Sequence, residues 1–388
     1  MPQTPTFLTR GFWLQSLQHV CLLISVLLFT FYLIQAHERA DLQRLSESSE
    51  PGEDLRLRLD ELTEHDRWLN ESLSELNEII LDFNSTTSIS QREQCQIAKV
   101  SMLYGEINEL YERAMVTHQT HSSRQGYIQL VLRNQLAQGY WNKPYYLLAL
   151  LLSEMSKEPW LRLKWLMWFD ADSVILNPSF PVQVFLPPDD LSNVHFLVTK
   201  DEGGLNSGIF FVRVHEQSIE ILMKSINYPE ISPDIDLGFS FDQMALQLTF
   251  NESQYHQYIA YMPRPWFNAY AFEPNPGDLL VHFAGLWDRD TRLRLWLERI
   301  EGPGAAEWDI DLQQTDYGHR VDKFWKQFRE MREFNATVNE RYDRSLSPAN
   351  AKMALENFAD VTYYATDDAE RMELAKLEVE DTLGLHAL

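Results

Sequence analysis

Cysteine is almost absent: Cys21 and Cys95 are the whole complement of 388 residues. That excludes a disulfide framework and any multi-cysteine zinc site. Cys21 stands inside an apolar run, where a bridge to Cys95 has no place. Basic residues are scarce too. The chain has 33 Lys and Arg against 57 Asp and Glu, a net charge of −24 with histidine neutral. So acidic a chain repels phosphate backbones and is no sequence-independent nucleic-acid binder. Long hydrophobic runs are rarer still, with one stretch of membrane character, and a mean hydropathy of −0.33 excludes a polytopic membrane protein. What the chain does have is 45% hydrophobic and 12% aromatic residues, the make-up of a folded protein. Its length suits one large domain, or two ordinary ones, with appendages.

The apolar stretch is Phe12 to Ile34, whose core reads VCLLISVLLFTFYLI without a charge. At 1.5 Å per residue it can cross a hydrocarbon layer of roughly 30 Å. No small-x-small cleavage site follows, since the exit is Gln35-Ala36-His37-Glu38-Arg39, so a retained anchor is expected over a cleaved signal peptide. Arg10 points the short tail to the cytosol. The expected layout is a cytosolic tail at 1–11, a transmembrane signal anchor at 12–36 and a type II protein with its bulk in a lumen. Residues 37–94 read as a lumenal stalk. Leu55, Leu59, Leu62, Leu69, Leu73, Leu76 and Ile80 follow steps of four and three, with Asp66 interrupting. Two readings stand: an amphipathic helix on the protein's own surface, or a short coiled coil giving a homodimer or hetero-complex. Sequons at Asn70, Asn84, Asn251 and Asn335 are compatible with a lumenal location.

From about residue 95 to 300 apolar strands alternate with helical stretches. Strands are expected at 97–105, 127–132, 165–169, 195–199 and 209–214, with helices at 109–124, 143–157, 215–226 and 243–250. Trp165–Phe169 is too apolar to have a wet face. The pattern predicts an α/β fold with a mostly parallel sheet covered on both sides. Residues 301–388 read as a helical, acidic extension, peripheral and without chemistry of its own.

Chemistry concentrates where apolar strands stop. Trp168-Phe169 runs directly into Asp170-Ala171-Asp172, two carboxylates at the carboxyl end of a buried strand, where open α/β sheets bind ligands. Such hard oxygen donors suit Mn²⁺ or Mg²⁺, which can in turn hold a diphosphate. Next come Thr199-Lys200-Asp201 and Gly203-Gly204-Leu205-Asn206-Ser207-Gly208, a glycine-rich lead into a strand. Its backbone can approach a ligand closely, and Asn206 offers a donor and an acceptor to a hydroxyl-rich molecule. An ordinary glycine turn is the plainer alternative. His282, after the run Asp278–Val281, could complete a metal set with Asp170 and Asp172. Phe241-Asp242-Gln243 opens a helix and by itself would pass for a cap.

In order and spacing these segments resemble glycosyltransferase family 34, the retaining fungal α-galactosyl- and α-mannosyltransferases with their plant xylosyltransferase relatives. The resemblance runs from about Ala98 to Arg299. It comprises the Val100–Gly105 strand, Thr117-His118, Gly126-Tyr127, Trp141-x-Lys143, Asp170-x-Asp172, Leu205–Gly208, Asp242-Gln243 and His282-Phe283-x-Gly285. It implies a GT-A type nucleotide-sugar-binding fold, Mn²⁺ or another divalent cation, a GDP-mannose or UDP-galactose donor and a glycan acceptor. It also implies a single-pass type II protein of the Golgi membrane. Carried over by motif, Asp170, Asp172 and His282 would ligate the metal, with Asp170 also meeting the ribose. Tyr104 and Gly105 would lie against the base, and Asp201 and Asn206 would hold the donor sugar, with Gly208 and Gly285 in the same cofactor-binding set. Asp242 and Gln243 would lie near the anomeric carbon as catalytic candidates. The plant relatives carry a lysine shortly after the metal histidine; here Leu286-Trp287 follow, and Arg289 or Arg292 must meet the leaving diphosphate. A non-catalytic GT-A-fold subunit scaffolding a transferase complex is the rival reading.

Overall fold

The structure is a computed structural model that describes residues 96–342 and 349–385. The expected cytosolic tail, anchor and stalk lie outside these residues. Among the described residues no helix is long and apolar enough to cross a membrane. The chain divides into two compact units. One holds residues 134–162 of the described chain, and the other residues 96–133 and 163 onward.

The smaller unit centres on helix α2, Asn142–Met155, numbered by its place in the chain. The buried Asn142 side chain accepts the N–H groups of Leu136 and Ala137, at 2.6 and 2.8 Å, and donates to two carbonyls of the same turn. The loop is thus closed by one amide. Lys157 and Glu154 form a buried ion pair.

The larger unit is built on a six-stranded sheet in the order β2-β1-β3-β6-β5-β7. These are β1 Ile97–Met102, β2 Ile128–Leu132, β3 Trp165–Phe169, β5 Phe196–Asp201, β6 Gly204–Arg213 and β7 Ile259–Tyr261. Strands β1–β2, β1–β3 and β5–β7 pair in parallel, while β6 runs antiparallel to both its neighbours. Every residue of β3 is buried, as its lack of a polar face requires. A second, two-stranded sheet pairs β4, Ser173–Ile175, with β8, Leu280–His282, setting Ser173 opposite His282.

Around the sheets lie α1 Glu109–Gln125, α3 Glu216–Ile226, α4 Phe241–Phe250, α5 Arg289–Glu301 and α6 Tyr317–Arg341. The main core gathers β3 and β6 with aromatics from α6. A second core joins α1, β4, β8 and α5. A third is made by α6 with α7, Ala349–Tyr364, and α8, Ala369–Leu383. Residues 301–388 are thus not wholly peripheral: α6 packs Tyr317, Phe324, Trp325 and Phe328 into the main core, and a further apolar core joins it to α7 and α8.

The glycine-rich lead into β6 departs from the turn reading. Gly204 to Gly208 already belongs to the strand, which outruns β3 because that neighbour ends at Phe169 opposite Ile209. Beyond that point, side chains of α4 stand in for the missing strand. Gln247 Oε1 accepts the Leu205 N–H at 2.8 Å, and Gln243 Oε1 accepts that of Ser207 at 2.9 Å. Those two backbone donors are thus satisfied.

Candidate active site

Because β1 and β3 are parallel, Tyr104 and Gly105 leave the sheet at the same edge as Asp170. The parallel β5 and β7 end at one edge as well, with Asp201 closing β5. Antiparallel β6 begins there, bringing Asn206 and Gly208 alongside. Asp170 is fixed on all sides. Its N–H donates to Gly208 O at 2.8 Å, its Oδ1 accepts from Trp168 Nε1 at 2.7 Å, and its carbonyl accepts from Ser173 Oγ at 2.6 Å. Asp172 is tied to β8, its carbonyl accepting the Phe283 N–H at 3.0 Å. Sheet pairing then brings His282 to the two aspartates, and donor atoms of Asp170, Asp172 and His282 lie within 4.8 Å of one another.

These residues fit a divalent cation on the chemistry of the donor set. His282 Nδ1 is 2.7 Å from Asn268 Oδ1. The Asn268 amide is oriented by its own donations, to Thr199 Oγ1 at 2.7 Å and Asn206 Oδ1 at 3.0 Å. Its oxygen must therefore accept the Nδ1 proton, and Nε2 is turned toward the carboxylates. Nε2 stands 3.3 Å from Asp172 Oδ1, a separation that calls for a proton or a cation to reconcile lone pair and carboxylate. On Asp172, burial works to raise the carboxyl pKa, but His282 and Arg289 outweigh it and hold it below the ordinary range.

The network continues away from the metal set. Asn206 Nδ2 donates to Asp201 Oδ2 at 3.0 Å, and the Tyr270 hydroxyl donates to the same oxygen at 2.5 Å. Tyr270 is fixed in turn by Arg264, whose guanidinium lies 3.8 Å from the ring centroid and pairs with Glu273. Asp201 thus communicates with Asp172 through Asn206, Asn268 and His282, each in hydrogen-bond contact with the next. Gly208 makes the crossing possible, since a Cβ there would sit 2.1 Å from His282 Cε1.

Asp242 is buried in the first turn of α4, and Gln243 braces Ser207 as described. Gly285, at φ +65°, turns the chain after β8. Of the two candidate arginines, Arg289 places Nε 3.1 Å from Asp172 Oδ2. Arg292 instead pairs with Asp288 in the same helical turn, Nε reaching both oxygens at 2.9 Å. Behind the site, Lys99 is wholly buried on β1, 3.0 Å from His121 Nδ1. His118 stacks on Phe169 at 3.7 Å and reaches Ser173 Oγ at 3.1 Å. Sequence reading missed Asn268, Tyr270 and Gln247. The pair Asn268 and Tyr270 lies in an irregular segment whose Phe267-Asn268-Ala269-Tyr270 carries no motif, so no local signal could have found it.

Residues 188–292, which include Asp201, Asn206, Asp242 and His282, match the galactosyl transferase GMA12/MNN10 family. That match covers about a quarter of the chain. Two curated fission-yeast proteins (Schizosaccharomyces pombe) are similar to it. A probable alpha-1,2-galactosyltransferase, gmh1, is 27% identical over 38% of this chain and 54% of its own length. A second alpha-1,2-galactosyltransferase is 24% identical over 37% of this chain and 46% of its own. The chain spans about half the length of the curated relatives it matches. Among solved structures, a glycosyltransferase involved in glycosylating the major capsid of PBCV-1 shares 16% identity at a TM-score of 0.40, covering 51% of this chain and 98% of that one. A likeness of that degree decides nothing further.

Proposed function

We propose that this protein is a metal-dependent retaining glycosyltransferase of GT-A type, of the family its residues 188–292 match, anchored as a type II protein in the Golgi membrane. It transfers a hexose from a nucleotide sugar to a glycan acceptor in α linkage. The observation that carries the reading is the convergence of Asp170, Asp172 and His282 at the sheet edge, with Nδ1 of the histidine committed to Asn268. Both curated relatives are named for α-1,2-galactosyl transfer, which favours galactose over mannose.

Asp170, Asp172 and His282 would hold the cation, Mn²⁺ in the first instance. When bound, it supplies positive charge against the charge that grows on the departing diphosphate. Arg289, beside Asp172, is placed to add a fixed guanidinium to the same anion. Asp201, Asn206 and Tyr270 form a rigid polar wall of the kind that orients the hydroxyls of a hexose. Tyr104 and Gly105, which follow β1, would lie against the base. Asp242, with Gln243 beside it on α4, is the candidate carboxylate for the anomeric carbon. The test is hydrolysis and transfer of UDP-galactose and GDP-mannose with and without Mn²⁺, run beside Asp172→Asn. Turnover that needs the metal and vanishes in the folded variant is the expected result. Inability of the parent protein to turn over either donor overturns the reading.

A further inference from the structure

Thr117-His118 is a motif of the chain that the proposed chemistry leaves without a task. Both residues reach β4 from α1. Thr117 Oγ1 accepts the Ile175 N–H at 3.0 Å and donates to Ala114 O at 2.7 Å. His118 is buried, and its Nε2 lies 3.2 Å from Ser173 O and 3.1 Å from Ser173 Oγ. The Ser173 hydroxyl gives its one proton to Asp170 O at 2.6 Å, so the serine presents two acceptors to the ring. Nε2 must therefore carry the imidazole proton.

The ring is held in that place. It stacks on Phe169 with centroids 3.7 Å and planes 8° apart. Its Nδ1 is buried without a hydrogen-bond partner among the described residues, so the polar anchorage of the ring lies wholly on the Ser173 side. Lys99 Nζ is 3.4 Å from His118 O and 3.0 Å from His121 Nδ1. His121 is as deeply buried, but its Nε2 turns to Phe180 O at 2.8 Å, away from the aspartates. Ser173, by contrast, is where the three metal candidates meet. Its hydroxyl holds Asp170, its own peptide follows Asp172, and across the small sheet it stands opposite His282. A side chain that fixes both the hydroxyl and the carbonyl of Ser173 thus fixes the turn carrying the carboxylates and the strand that meets the histidine. Ligands released from such support keep their charge but lose the geometry a cation selects.

We propose that His118 is a positioning residue of the metal site, setting the spacing of Asp170, Asp172 and His282 through Ser173. The assignment rests on the proposed function, in which those three residues hold the cation. The experiment is electron paramagnetic titration of the full protein with Mn²⁺, with the spectrum of the bound ion recorded and the melting temperature taken without metal. His118→Leu should weaken Mn²⁺ about tenfold and change the bound-ion spectrum. His118→Gln, whose amide can donate to Ser173, should regain much of that loss. Ser173→Ala removes a single oxygen and keeps the test open should the leucine variant not fold; it should weaken Mn²⁺ about three- to fivefold, the loss of one hydrogen bond. His121→Leu is the control for burial, lowering the melting temperature while Mn²⁺ affinity and spectrum stay as in the parent. Unchanged affinity in Ser173→Ala, or a Mn²⁺ loss as large at 121 as at 118, overturns the role of His118. A parent protein that binds no Mn²⁺ overturns the metal reading itself.

Discussion

The amide oxygen of Asn268 accepts the Nδ1 proton of His282 at 2.7 Å, and this bond decides which nitrogen the histidine offers to Asp170 and Asp172. Asn268 is wholly buried and its amide cannot flip without breaking donations to Thr199 and Asn206. Replacing it with leucine should lower Mn²⁺ affinity about 10–100-fold, the usual cost of losing a residue that orients a metal histidine. Asn268→Asp retains an acceptor and should lose less. Electron paramagnetic titration of free Mn²⁺ measures both, and unchanged affinity in the leucine variant would show that the histidine needs no such partner.

Gly208 and His282 occupy the same space in a second sense. Alanine at 208 would place Cβ 2.1 Å from Cε1 and 2.9 Å from Nε2 of the ring. Gly208→Ala should push the imidazole off the aspartates, abolishing metal binding and transfer together. Gly126→Ala is the control. That glycine caps α1 at φ +75° with nothing within 4 Å, so strain alone should cost roughly 1–2 kcal/mol and leave turnover intact. Metal affinity and melting temperature separate the two effects.

The arginines after β8 should behave differently. Arg289→Ala should reduce transfer by about 10²–10³-fold, the range for a fixed group facing developing charge. Arg289→Lys should recover part of it, since a lysine restores the charge without the planar fork. Arg292→Ala breaks a half-buried pair with Asp288 that lies within one helical turn and should change kcat less than about threefold. Steady-state kinetics on the three variants decide the matter, and a greater loss at 292 than at 289 would reverse the assignment.

Three histidines should make the protein sensitive to acid. Burial, then the positive charge of Lys99, holds His118 and His121 well below the ordinary histidine pKa. Burial, then His215 and Arg213, pushes His195 down to about 3. The unfolded chain takes up these protons near 6.5 and the native one does not, so the unfolded state binds more protons between those values. Stability therefore rises with pH in that window and is lost as pH falls below about 6.5, by up to ~1.4 kcal/mol per pH unit for each histidine. Lys99, pushed far down by burial, contributes with the same sign at higher pH. Urea midpoints between pH 7.5 and 4.5 should fall steadily, and His195→Gln should flatten the curve. A midpoint independent of pH across that range would contradict the burial of all three.

Local sequence was enough for most of the strands and helices around the site and for the two carboxylates of the candidate metal set, but not for β7 or for the helix Arg289–Glu301. Trp165–Phe169 cannot be anything but a buried strand, because it has no polar face, and Asp170-x-Asp172 follows it by chain continuity alone. His282 was legible as a candidate, but its meeting with Asp172 depends on β4 pairing with β8, a contact across more than a hundred residues. The glycine-rich segment looked like a turn because glycine signals freedom; only the fold shows a strand whose glycines make room for Gln247 and His282. Asn268 and Tyr270 stand in a stretch with no periodicity and no motif. Their roles come from long-range hydrogen bonds, and a hydrogen bond between distant residues leaves no trace in either partner's neighbours. Propensity and hydrophobic period act over a few residues and wrote the strands and helices into the chain, whereas the site's second layer exists only once the sheet edge is assembled.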